Sequence, residues 1–122
     1  MLLESICNHL AQIKQALGIS GVYTEESAWR KTSQKGPGAQ IDLLIDRKDQ
    51  VINICEMKYP ESEFVIDKAY SAELENKRTA FKQATGTKKS LFLTMLTTFG
   101  LKENEYTRRL IQSSLTVDDL FQ

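Results

Sequence analysis

An α/β fold, with a mixed central sheet flanked by helices, is what the sequence predicts, and three patterns predict it. Residues 3–17 carry apolar side chains at helical spacing. Two apolar runs at 39–46 and 51–58 are parted by a short polar turn, as in a hairpin of buried strands. A long amphipathic segment after Pro60 leads into "SLFLTML" (90–96), apolar almost throughout and therefore a strand between two layers.

Each element has a local reason. Leu3, Ile6, Cys7, Leu10, Ile13, Ala16 and Leu17 form one stripe, and Gly18 stops the first helix. "VYTEESAWRK" (22–31) is strand-like with one polar face, and the Gly-Pro-Gly of "KTSQKGPG" (31–38) makes a loop. "FVIDKAYSAELENKRTAFKQATG" sets Ile66, Tyr70, Leu74, Phe81 and Ala84 along one side of a long helix that ends at Gly86. "RLIQSSL" reads as an edge strand. Thr116 and Asp119, three apart, form a capping box for a short last helix, "VDDLFQ". The order is αβββαβ with a short C-terminal strand and helix, and without linker or repeat residues 1–122 read as one domain.

Composition narrows the function. Apolar content of 41% and charged content of 26% are those of a soluble globular chain. The formal net charge is zero, so any polyanion site must be a local patch. No apolar run reaches the ~18 residues of a membrane span, and the N-terminus lacks a signal-peptide layout. Cys7 and Cys55 have no CxxC spacing and, with the single His9, make no zinc set. A reducing, cytoplasmic compartment is the plain inference.

Three charges interrupt the hairpin: Asp42 in its first strand, Glu56 and Lys58 in its second. Charge in a buried-looking strand costs free energy unless it is paired or binds something. Ile52, Ile54, Glu56 and Lys58 share one strand face, and Gln40, Asp42 and Leu44 share one on the neighbour. Asp42 lies beside Glu56 only if paired residue numbers sum to an even value. A three- or five-residue loop, or one bulge, achieves this. Two acids and an ammonium at one rim then suit a hard divalent ion and a metal-bound water, the needs of phosphodiester hydrolysis. The bland alternative is an ion-pair cluster on a half-exposed face, but Leu44, Ile52 and Ile54 on the same predicted face argue for burial and a site.

Asp42, thirteen intervening residues, then Glu56-Met57-Lys58 resembles the PD-(D/E)xK nuclease superfamily, whose restriction-endonuclease-like core is αβββαβ. Ile41 stands where a proline often precedes the first acid. More closely, "GAQIDLLIDR", "VINICEMKYP", "NKRTAF", "LFLTMLTTFGL" and "TVDDLF" resemble the C-terminal nuclease-like domain of bacterial and archaeal-type AAA ATPases of poorly defined function. No GxxxxGK[ST] occurs, so the resemblance implies a C-terminal fragment of a larger ATPase. It implies metal-dependent hydrolysis of DNA, with Mg²⁺ (or Mn²⁺) on Asp42, Glu56 and the Met57 carbonyl. Lys58 would be the catalytic lysine, and DNA and the upstream ATPase domain the partners. Many members add an acid on the first helix. Glu4 is the candidate, placed either to reach inward or to face solvent. An inactive nuclease-like module for nucleic-acid binding or self-association, as in a homodimer, is the other function the resemblance allows.

Other residues have plainer readings. Lys77, where the long helix's stripe would continue, is read as a lysine that snorkels to solvent rather than one that reaches the sheet's active edge. Tyr70 and Trp29 are read as packing, and His9 as structural or surface. Lys88-Lys89 and Arg108-Arg109 are read as solvated cations with some capacity for phosphate. Cys55 points away from the site.

Overall fold

The computed structural model describes residues 9–32 and 38–121. The elements are α1 (Leu10–Ala16), β1 (Thr24–Lys31), β2 (Ala39–Arg47), β3 (Val51–Lys58), α2 (Lys68–Thr85), β4 (Ser90–Thr97), α3 (Glu105–Leu110), β5 (Ile111–Thr116) and a final 3₁₀ turn (Val117–Phe121). Glu4, Cys7 and most of the Gly-Pro-Gly loop lie outside the described residues. The strands form one sheet in the order β1-β2-β3-β4-β5. The first two pairings are antiparallel and the last two parallel, so the sheet is mixed as expected. Helix α2 supplies the crossover that a parallel β3–β4 pair requires. Among the described residues no helix is long and apolar enough to cross a membrane.

Two cores sandwich the sheet. On one side Ile13 of α1 and Leu120 of the last turn pack on Leu43, Ile45 and Cys55. On the other, Leu74 and Phe81 of α2 pack on Ile41, Leu44, Ile52 and Ile54. Helix α2 starts where Asp67 accepts a hydrogen bond from the Tyr70 N–H at 2.8 Å, and it ends at Gly86 with φ 65°.

Helix α3 is a departure from expectation. Six residues are too few to display a period, and Arg109 and Leu110, expected in a strand, belong to this helix. Its signal was Asn104 with Thr107 three residues later, which form a reciprocal capping box. At the C-terminus Asp119 does accept the Thr116 N–H at 2.8 Å, but the segment winds as 3₁₀.

The hairpin ladder has an even-sum register, as expected from the sequence. Leu43 faces Cys55 and Asp46 faces Ile52, an even-sum ladder closed by the three-residue turn Lys48–Gln50. Gln50 sits at φ 71°, a left-handed conformation that costs a side-chain-bearing residue about 1 kcal/mol. Gln50→Gly, after glycine's entropic cost, should stabilise the fold by about 0.5 kcal/mol, a rise of about 2 °C in Tm by calorimetry.

Strict alternation fails on β2. Ser27 pairs with Leu44 but Trp29 with Ile41, so Asp42 and Leu43 together oppose Ala28 in a β-bulge. Ile41, not Asp42, therefore joins Leu44 in the core beneath α2. Gln40 and Asp42 stay hydrogen-bonded to each other in the open, so the expected face they were to share with Leu44 is corrected.

Candidate active site

Strand β3 keeps its alternation, and that places the candidate residues Glu56 and Lys58. Ile52 and Ile54 enter the core under α2, so Glu56 and Lys58 continue the same face toward the strand's C-terminal end. Cys55 turns to the opposite core, as predicted. Burial, and then the Glu56 charge, push its thiol up to about 12, so it carries no thiolate near neutrality.

Glu56 is only 7% exposed. Its partner is Lys77, whose Nζ donates to Glu56 Oε1 at 2.5 Å. This corrects the snorkelling assignment. Lys77 lies three residues after Leu74 and four before Phe81, both buried, so its stem follows their stripe down to the sheet. A buried carboxylate rewards the reach. Glu56 titrates above the ordinary carboxylate range because burial opposes its charge. The Lys77 hydrogen bond and charge pull it back, Asp42 pushes it up again, and Lys58 pulls it down.

The other predicted residues lie around this pair. Asp42 is exposed at the bulge, where its Oδ1 accepts from Gln40 Nε2 at 2.7 Å, and Gln40 Oε1 accepts in turn from Arg30 Nη2 at 2.8 Å. Lys58 is exposed, makes no ion pair among the described residues, and sets its Nζ 5.2 Å from the Tyr70 ring centroid. Tyr70 packs edge-on against Phe64 at 5.3 Å, which is the expected packing role. Its hydroxyl, however, is buried without a hydrogen-bond partner among the described residues. Burial first, then the Glu56 and Glu73 charges, keep that hydroxyl protonated. Met57 turns its side chain toward the α1 core, leaving only its backbone to the site. Of these charges only Lys77 touches Glu56; Asp42 and Lys58 act on it through their charge.

Among the described residues no three Asp, Glu, His or Cys side chains gather as a metal cage. Mg²⁺ does not require one: it is commonly held by one or two carboxylates, with waters and substrate phosphate filling its octahedron. Asp42 and Glu56 fit that demand in chemical type, with Lys77 already holding one Glu56 oxygen.

The remaining candidates follow their plain readings in part. Trp29 packs edge-on against Phe81 at 5.4 Å, and His9 against Phe121 at 5.0 Å. Arg108 pairs with Glu103 and Arg109 with Glu75 on the surface. Lys89 donates to Asp46 Oδ1 at 2.5 Å and to the Arg47 carbonyl at 2.8 Å. Comparison with protein-family models, with curated proteins and with solved structures returned no match for this chain.

Proposed function

We propose that the chain hydrolyses phosphodiester bonds in DNA through a divalent ion held by Asp42 and Glu56, as the C-terminal domain of an AAA-type ATPase with a PD-(D/E)xK-type site. One observation carries the reading: a carboxylate 7% exposed sits on a strand face with Lys58 two residues on, and the Asp42 charge acts on it across the hairpin. Burying a carboxylate there for packing alone would be costly.

The roles divide as follows. Asp42 and Glu56 would supply oxygen ligands, with the Met57 backbone carbonyl as the third. The ion, when bound, polarises the phosphate and lowers the pKa of water. Lys58, without an ion pair among the described residues and steadied over the Tyr70 ring, presents positive charge where a phosphate gains negative charge. Lys77 favours the ionised form of Glu56 against the opposing effect of burial. A second reading, an inactive module that binds nucleic acid or self-associates, draws on the same contact, since Lys77 already neutralises Glu56.

The test combines calorimetric titration of Mg²⁺ and Mn²⁺ with cleavage of plasmid DNA. Wild type should bind the ion and nick DNA with Mg²⁺ but not with EDTA, and Glu56→Gln should lose both. Ion binding that survives Glu56→Gln, or is absent from both proteins, would favour the inactive module.

A further inference from the structure

We propose that a second cleft, between the C-terminal half of α2 and the start of β4, binds the phosphate backbone of a nucleic acid away from the acid–lysine site. Its volume is about 540 Å³, and Arg78, Lys82, Lys88 and Lys89 line it with the hydroxyls of Thr79 and Ser90. No carboxylate is among its lining residues. Lys89 is engaged with Asp46 and the Arg47 carbonyl. The side chains of Arg78, Lys82 and Lys88 make no hydrogen bond or ion pair among the described residues.

This concentration needs a reason, because the chain as a whole balances 16 basic against 16 acidic residues. Arg78 and Lys82 stand four apart on one helix flank, where like charges repel. Lys82 gains something from the negative end of the α2 dipole in the last turn. Arg78, farther from that end, and Lys88, beyond the helix, do not share that gain. An anion with several charges spaced along it would relieve all three, as a polyphosphate chain does.

Placement favours nucleic acid. Ser90 pairs with Val51 at the start of β3, and Glu56 lies five residues further along that strand. The separation along the strand is about 16 Å, a span of about five steps of duplex at ~3.4 Å each. Choosing nucleic acid among polyanions rests on the phosphodiesterase reading, whereas the attraction for phosphate does not.

The experiment is fluorescence anisotropy of a labelled 20-base-pair duplex with the chain in EDTA, which separates binding from cleavage. The triple variant Arg78→Gln/Lys82→Gln/Lys88→Gln should bind about tenfold more weakly or worse at low salt, and its log–log salt slope should fall by about 2–3. Arg108→Gln/Arg109→Gln, which removes cations already paired, should bind nearly as wild type. An unchanged triple variant, an equal loss in the double variant, or wild-type binding of ATP without binding of duplex would each overturn the proposal. Duplex binding that depends on the three cations, in a chain that cleaves nothing with Mg²⁺, supports the cleft and sinks only the phosphodiesterase reading.

Discussion

Lys77→Met should destabilise the fold by about 3 kcal/mol at pH 8, and the deficit should shrink as the solution is acidified. Removing one partner of a buried ion pair costs about 3–5 kcal/mol because the other charge stays buried. The low end applies here because the Lys77 side chain is 25% exposed. Methionine keeps much of the stem's packing, so the loss reports chiefly on charge. The pH dependence follows from the direction of the Glu56 shift. Its carboxyl is raised in the folded chain, so ionised Glu56 opposes folding above that raised value and ceases to do so as pH falls below the ordinary 4.5. Without Lys77 the folded value rises further, and the penalty reaches to higher pH. Chemical denaturation from pH 4 to 8 measures it. A deficit independent of pH would show that Lys77 acts through packing. Mg²⁺ should raise the Tm of Lys77→Met more than that of wild type, since a divalent ion replaces the missing charge.

Lys58→Met and Asp42→Asn should each lower Mg²⁺-dependent cleavage by about 10²–10³-fold while leaving the fold intact, the loss typical of removing one preorganised charge from a reacting centre. Both side chains are exposed, so thermal stability should stay within about 0.5 kcal/mol of wild type. The two differ in kind. Asp42→Asn should weaken calorimetric Mg²⁺ binding. Lys58→Met should retain that binding and lose only the single-turnover rate, with partial recovery in Lys58→Arg. Full activity in Lys58→Met would remove the lysine from the chemistry and leave its contact with the Tyr70 ring as its role.

Repeating local patterns made much of this molecule legible beforehand. Period-two alternation set Ile52, Ile54, Glu56 and Lys58 on one face and Cys55 on the other, as the structure has them. The even-sum condition offered a three-residue loop among its options, and Lys48–Gln50 is that loop. Helix α2 announced itself by its stripe and by Gly86, because eighteen residues display a 3.6 period clearly. Helix α3 did not, because six residues complete fewer than two turns.

Features made by contacts between distant segments escaped the linear pattern. The bulge at Asp42 arises from pairing with β1, a neighbour whose register no feature within β2 encodes. The reach of Lys77 depends on a carboxylate 21 positions earlier that burial leaves in need of a cation. The basic cleft forms only because the α2 crossover returns the chain beside its own last turns at Ser90. Side-chain periodicity therefore dictated the longer elements and most of their apolar faces. Which charges meet was settled by folding, since electrostatic energy depends on distance in space and not on separation along the chain.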